Sequence, residues 1–499
     1  MSIHAPPLTQ ALSETSLTSR GRYHVSAKAS RTLSYLSSEG PVLVEWSLYN
    51  ALRDMGYDLD PDRDNKSKYS PTGLVRALAR YGTPRDLSRC RPDVLQQAMD
   101  LTMRVFGRRA ALTPHPLDEY LFKFVQREKS SGLPDLQRKG DTYEVDLARA
   151  IRIAAGTRAP DPCTGFHRVQ HGDEGPKTRL VWGYPLSMFF LEARFAPLLI
   201  EEFLDNATPM AFGLFKSQVS ARMQQIRNSG LRYSLDFSGF DSSIAPEFID
   251  FAFGVLRTHF DMNDEQRSCW NKIVNYFIHT PIMMPDQEVW VKHHGVPSGS
   301  YFTQMIDTIV NYLAVTYAWM RAGGQPIPDD KILVLGDDSV FGESKYVSLE
   351  LLKVYFSELG IVLNDVKSGI SHWGRDDPHF LGHYWRRGFP DRPEREIAIR
   401  LAFPEKPVGI KDALERRNTR TLGYVGDAVS AHRIIMGLSK PNTGNIAAQY
   451  ASFLFDGDGI RKLPPHSRPG WTEFLEELGT MDSATADFLA FRGPFVSLY

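Results

Sequence analysis

Short apolar runs and longer stretches of helical period alternate along the chain, separated by small polar residues. Ile332-Leu333-Val334-Leu335 and Ser339-Val340-Phe341 flank Gly336-Asp337-Asp338, which predicts strand, tight turn, strand. Arg232-Tyr233-Ser234-Leu235 predicts a short strand ending at Asp236. A glycine-containing loop follows it with Asp241, then a helix starting near Pro246 with Phe248, Phe251, Ala252 and Val255 as its buried stripe. Gly295-Val296-Pro297-Ser298-Gly299-Ser300 predicts a flexible loop entering a helix of about 20 residues that stops before Gly323-Gly324. Ile306, Ile309, Val310, Leu313 and Tyr317 form its core stripe, and Thr303, Asp307 and Asn311 recur every fourth residue as a polar line. Burying such a line is costly unless each group finds a partner, so the line is expected to face a polar cleft.

The remaining elements are shorter. Gly175-Pro176 predicts a turn into a strand through Pro185, with Lys177 and Arg179 leaving one face. Leu349 to Leu359 predicts a helix ended by Gly360, Ile361-Val362-Leu363 a strand, and Asn364 to Gly369 a turn that presents Lys367. His379 to Arg387 predicts an aromatic hairpin with basic residues. The Ser- and Thr-rich first 40 residues predict an extended arm, and Asp58 to Pro71 a polar loop. From Pro404 onward the period is helical, with Arg416, Arg417 and Arg420 but no legible chemistry.

At 499 residues the chain has room for two to four subdomains. With 58 basic against 59 acidic residues the net charge is −1, so any argument for nucleic acid must be local. Arg76, Arg80, Arg85, Arg89, Arg91, Arg104, Arg108 and Arg109 supply one such cluster, equally readable as phosphate-binding or as a solvated helical face. Cys90, Cys163 and Cys269 have no metal-ligand spacing and suggest a reducing compartment. No signal peptide is evident, and Glu192, Arg194, Glu201 and Glu202 make Leu186 to Leu204 a poor membrane span. The expectation is a soluble intracellular protein.

Four of these features carry chemistry. Adjacent carboxylates at a turn repel each other and invite a hard divalent cation that takes oxygen ligands. Asp236 at a strand end is suited to join Asp337 around it, since two-metal catalysis needs bridging carboxylates. Lys177 and Arg179 can grip a triphosphate, and Lys367 can donate a proton to a leaving pyrophosphate. Each has a plain alternative: a polar hairpin, a helix-capping Asp241, a basic strand edge, a surface lysine.

The order of the features is more specific than any one of them. Basic strand, D-x4-D, Ser-Gly loop with helix, Gly-Asp-Asp, lysine turn and aromatic hairpin resemble motifs F, A, B, C, D and E of viral RNA-dependent RNA polymerases, over roughly residues 175 to 390. The strings RLVWGYP, GVPSGSYFTQMIDTIVN and LGDDS look most like polymerases of partitiviruses, double-stranded RNA viruses, with picobirnavirus polymerases nearby. The resemblance implies an α+β right-hand fold, helix-rich overall, with fingers, a palm built on an antiparallel sheet, and a thumb. Residues 1–120 would be an N-terminal extension bridging fingers and thumb, 121–230 fingers, 231–258 palm, 259–294 a fingers insertion, 295–385 palm, and 386–499 thumb and C-terminal region.

It further implies that Asp236, Asp337 and Asp338 hold Mg²⁺, with Mn²⁺ also acceptable, and that Lys367 is the general acid. Lys177 and Arg179 would bind the incoming triphosphate. Asp241, Ser298, Gly299, Thr303, Asp307 and Asn311 would read the ribose. The usual S-G-x3-T-x3-N pattern has Asp307 where Asn is expected and Asn311 one turn later, leaving open which of them meets Asp241. Implied partners are RNA template and product, ribonucleoside triphosphates and a viral capsid protein, without membrane; implied locations are the virion interior and the host cytoplasm. Competing readings are a reverse transcriptase, against which Gly336 and Asp241 argue, and a non-catalytic RNA-binding or packaging protein that keeps the fold.

Overall fold

Four antiparallel strands form the sheet that positions the aspartates. A computed structural model of the chain describes residues 10–405, without 27–28, 31–32, 34–38, 109–110, 173–174, 215, 373–376 and 387–388, together with 434, 437 and 438. Arg109, Arg387 and the helical expectation for Arg416, Arg417 and Arg420 lie outside the described residues. The strands, in chain order, are β1 (Thr18–Arg22), β2 (Cys163–Gly172), β3 (Gly175–Gly183), β4 (Leu231–Leu235), β5 (Pro281–Met283), β6 (Glu288–Val291), β7 (Ile332–Leu335), β8 (Asp338–Glu343), β9 (Gly369–His372), β10 (His379–Phe380), β11 (His383–Arg386) and β12 (Phe389–Asp391).

The central sheet has the order β7-β8-β4-β9. Its register pairs Leu335 with Asp338 and Leu235 with Ser339, so the next residue after β4, Asp236, falls beside Asp338. Side chains alternate between its faces. Ile332, Val334, Phe341 and Tyr233 enter the main core, while Leu333, Leu335 and Val340 pack on a second cluster with Val219, Met223, Ile226, Phe380 and Trp385. The aromatic hairpin forms as expected, extended by a third strand into β10-β11-β12.

Behind the central sheet runs the Thr303–Arg321 helix, of 19 residues. Every residue from Met305 to Trp319 is buried, against the Pro92–Phe106, Pro246–Arg257 and Leu349–Glu358 helices and β7. The polar line therefore lies inside the protein. Asp307 and Asn311 are 4% and 0% exposed.

A second sheet, β1-β6-β5-β2-β3, carries the basic strand at one edge. Its other edge is the N-terminal arm, whose Thr18–Arg22 stretch pairs antiparallel with β6. Two expectations need correction. Ile361-Val362-Leu363 is not a strand: Leu363 makes only an isolated bridge to Phe237, and β9 takes the place beside β4. The alternation of buried Ile361 and Leu363 with exposed Val362 reflects packing rather than a ladder. The polar loop from Asp58 to Pro71 contains a helical turn, Pro61–Asp64, capped by the Asp60 side chain, and it buries Asp64 completely.

Candidate active site

The β7–β8 turn is Gly336-Asp337, and Gly336 has φ +60°, a left-handed conformation in which glycine meets no steric penalty. Both of its backbone groups are held by the Thr303–Arg321 helix. Asn311 Nδ2 donates to the Gly336 carbonyl at 2.8 Å, and the Gly336 N–H donates to Thr308 Oγ1 at 3.0 Å. Thr308 in turn donates to the Gln304 carbonyl at 2.6 Å. The approach is close: a Cβ on Gly336 would lie 2.8 Å from Gln304 Nε2. Asp337 is thus set on a turn clamped from behind.

Asp236 is fixed from the opposite side by the Asn364–Ser368 turn. Asn364 Nδ2 donates to Asp236 Oδ1 at 2.9 Å, and the Asn364 N–H donates to the Asp236 carbonyl at 2.9 Å. Ser368 Oγ accepts from the Asp236 N–H at 3.0 Å and donates to its carbonyl at 3.2 Å. The same Asn364 side chain accepts from the Lys367 N–H at 3.3 Å, which leaves the exposed Lys367 ammonium near Asp236.

Electrostatics describe one compact cluster. Burial and the charge of Asp337 raise the Asp236 carboxyl, opposed by Lys367, Asn364 and Arg179. Burial, Asp337 and Asp236 hold Asp338 well above the usual carboxylate range, opposed by the Leu381 backbone N–H and by Arg179. Leu381 and Gly382 are the left-handed turn between β10 and β11, at φ +53° and +68°, so the aromatic hairpin also aims a backbone donor at this site. Lys177 and Arg179 are both exposed on one face of β3, as expected. Burial and the charges of Arg80, Arg179 and Lys367 push Lys177 down, and Asp236 pulls it up. Arg179 and Lys367 therefore act on the aspartates and Asp236 on Lys177, while Arg80, from the arginine-rich segment, stands near Lys177.

Asp241 sits on a helical turn, Phe240–Ser243, entered through Gly239 at φ +64°. It does not cap the Pro246–Arg257 helix, whose N-cap is Ala245. Burial and Asp337 push Asp241 up to about 6, with Arg179 opposing. Asp307 is raised well above its ordinary value by burial, Asp241 and Asp337, and its Oδ1 has no hydrogen-bond partner among the described residues. The charge of Asp241 acts on Asp307, whereas Asn311 Nδ2 donates to the Gly336 carbonyl.

The Ser-Gly loop lies against β3. The Trp182 N–H donates to Ser298 Oγ at 3.3 Å, and a Cβ on Gly299 would collide with the Trp182 carbonyl oxygen. Thr303 Oγ1 donates to the Pro297 carbonyl at 2.6 Å, closing the loop on itself. The Val296 N–H donates to the Asp241 carbonyl at 2.7 Å, and the buried Tyr81 hydroxyl to the Val296 carbonyl at 3.1 Å. All twelve residues singled out from the sequence therefore fall in one region, although Asn311 and Thr303 use their side chains on backbone. Sequence reasoning missed Asn364, Ser368 and Thr308. The first two were within the lysine turn, and only their partners reveal them.

Among the described residues no three Asp, Glu, His or Cys side chains are close enough to grip one ion by themselves. The donor set nonetheless fits Mg²⁺ chemistry. That ion is commonly held by one or two carboxylates, with waters and substrate phosphates completing the shell. Asp236 and Asp337, the charge of the second raising the first, supply such a pair.

Residues 57–407 match the family model described as viral RNA-dependent RNA polymerase, and the chain belongs to that family. Solved structures of a human picobirnavirus RNA-dependent RNA polymerase share its fold. An insertion-loop deletion mutant superposes with a TM-score of 0.68 at 15% identity, covering 88% of this chain and 94% of that one. The parent polymerase gives 0.66, covering 98% and 97%. The architecture is therefore the α+β right hand, and the central sheet is its palm. Among curated relatives, the RNA-directed RNA polymerase of Cryptosporidium parvum virus 1 is 32% identical over 220 residues, 40% of each chain. That of Atkinsonella hypoxylon virus is 29% identical over 133 residues, 25% of this chain and 20% of the relative. The matched stretch thus spans less than half the length of these relatives. No described helix is long and apolar enough to cross a membrane.

Proposed function

We propose that the chain is an RNA-directed RNA polymerase that replicates and transcribes a viral double-stranded RNA genome. The observation that carries this reading is the meeting of Asp236, Asp337 and Asp338 at adjoining strand ends, faced by Lys177, Arg179 and Lys367. Phosphoryl transfer asks the protein mainly for positioning and charge stabilisation, and this site offers both. Asp236 and Asp337, with Asp338 beside them, would hold Mg²⁺, or Mn²⁺ in its place. A bound divalent cation supplies an activated 3′-hydroxyl and charge for the leaving pyrophosphate. Lys177 and Arg179 hold the triphosphate, and Lys367 keeps a proton available at its ammonium for the pyrophosphate oxygen.

Ser298 Oγ and the Asp241–Asp307 pair face the sugar, where a 2′-hydroxyl distinguishes an RNA precursor from a DNA one. RNA template, RNA product and ribonucleoside triphosphates are the substrates that this site fits. A capsid protein as partner, and work inside the particle within the host cytoplasm, follow from the resemblance to double-stranded RNA virus polymerases. The test is incorporation of labelled nucleotide on an RNA template with Mg²⁺ and all four ribonucleotides, comparing wild type with Asp337→Ala. Template-dependent product from wild type alone supports the proposal. Equal activity in both proteins overturns the site, and RNA binding without synthesis by wild type, with capsid protein added, overturns the activity.

A further inference from the structure

Glu192 is an acid that none of the catalytic roles uses. It lies on the Leu186–Ala193 helix, which begins three residues after the end of β3, and it is 1% exposed. Its Oε1 pairs with Ser300 Oγ at 2.7 Å, and its Oε2 accepts from the Tyr301 N–H at 2.8 Å. No salt bridge to Glu192 is found among the described residues; Lys139 is the cation that acts on it, from a position over the Phe189 ring. Burial pushes the carboxyl up to about 8, against its hydrogen bonds and Lys139, so near neutral pH the acid is largely protonated.

The loop that Glu192 touches is closed on itself mainly by side chains, Thr303 Oγ1 donating to the Pro297 carbonyl and Ser300 Oγ accepting from the Phe302 N–H. Its internal backbone bonds, Ser300 N–H to Pro297 and Thr303 N–H to Ser300, are long at 3.5 and 3.4 Å. Besides the bonds that Val296 makes with Asp241 and Tyr81, its shape is imposed from outside along its length. At the start, the buried Lys292 ammonium donates to the Gly295 carbonyl at 2.7 Å and to the Phe277 and Ile278 carbonyls. In the middle, Ser298 and Gly299 rest on the Trp182 backbone. At the end stands Glu192.

We propose that Glu192 is a positioning residue that fixes the Ser298–Gly299 loop against the basic strand β3 and thereby sets the affinity and sugar selectivity for the incoming nucleotide. The strand that grips triphosphate and the loop that faces the ribose are then held in one frame, because Glu192 follows the first in sequence and clasps the second in space. An apolar residue at this position would leave the Tyr301 N–H and the Ser300 hydroxyl without it. The inference rests on the polymerase reading, and its test separates the two.

Wild type, Glu192→Ala, Glu192→Gln and Ser300→Ala are compared in steady-state incorporation of matched ribo- and deoxyribonucleotides, with thermal melting alongside. Loss of the paired hydrogen bonds is expected to raise KM for the ribonucleotide by about tenfold in Glu192→Ala and to lower the ribo-to-deoxy preference similarly, with kcat much less affected. Glu192→Gln, which mimics the protonated acid, restores both. If Glu192→Ala fails to fold, Ser300→Ala carries the test, with a smaller shift in the same direction. Wild-type KM and selectivity in Glu192→Ala, or in Ser300→Ala where it stands in, would overturn the inference, even if melting fell. A Gln variant as impaired as Ala would overturn it too. An inactive wild type would instead count against the polymerase reading.

Discussion

Replacing Asn311 with Ala tests the clamp behind the Gly336 turn. In the native arrangement its amide donates to the Gly336 carbonyl at 2.8 Å from a helix position that is 0% exposed. The substitution leaves that carbonyl in a dry site, at about 1–3 kcal/mol, and opens a small void besides. Alone this lowers the melting temperature by a few degrees. The larger effect falls on activity. The freed turn relaxes toward another donor, Asp337 moves with it, and a shift of about 1 Å at a reacting centre costs roughly 100-fold in rate. The expected result is a lower kcat with an unchanged preference for ribonucleotides over deoxyribonucleotides. Thr308→Val, nearly the same shape, removes the partner of the Gly336 N–H and should move kcat in the same direction. The assay is single-turnover incorporation at saturating nucleotide, with melting measured in parallel. A variant that keeps wild-type kcat but loses sugar selectivity would refute the reasoning, because Asn311 would then act on the ribose and not on the turn.

Three further outcomes follow from the charges. Asp241 is raised from its ordinary value to about 6, so the folded protein holds a proton that the unfolded chain has released. That stabilisation is fully present below about pH 4 and is lost as pH rises through about 6, so metal-free wild type should lose melting temperature relative to Asp241→Asn between pH 5 and 7.5; parallel curves would contradict it. Mg²⁺ should stabilise wild type by about 2.7 kcal/mol at a hundredfold excess over its Kd, and Asp337→Ala far less, measured by differential scanning calorimetry. Asp64 is buried and accepts from the Asp60 N–H, Arg63 and Arg395, which together bring it below its ordinary value despite burial. Asp64→Ala should cost about 2 kcal/mol in chemical denaturation, discounted because both arginines are half exposed. Because the native carboxyl is lowered, its contribution in wild type is present above pH 4 and fades as pH falls below that.

Much of this site is legible in the sequence because its parts are local. Gly336-Asp337 needs only two flanking apolar runs to read as a hairpin turn, and Asp236 needs only the strand before it. Strand β2 escapes notice, since Cys163 to Gly172 mixes polar and aromatic residues and gains its regularity from pairing with β3 and β5. A period of four defines a stripe, so Thr303, Asp307 and Asn311 read as one polar face in the sequence. On a helix buried all round, the stripe carries no address. Gln304, Thr308 and Asn311 reach the Gly336 turn, whereas Thr303 closes the loop and Asp307 feels the charge of Asp241. Asn364 illustrates the general limit: a small polar residue in a turn acquires its role from Asp236, 128 positions away.

The burial of that helix explains how two distant parts of the site keep their spacing. Thr303 ties its first turn to the Pro297 carbonyl in the Ser-Gly loop, and Thr308 holds the Gly336 N–H. At 1.5 Å per residue these anchor points are separated by about 8 Å along the axis, a distance that a rigid helix does not let drift. Glu192 and Lys292 then orient the loop at the helix entrance, while Asn364 and Ser368 orient Asp236 across the sheet. Substitutions at the loop anchors should therefore disturb nucleotide affinity and sugar selectivity, with rate much less affected. A core change on the helix itself, such as truncating its buried Trp319, should disturb affinity and rate together, because it moves the common element to which both are fastened.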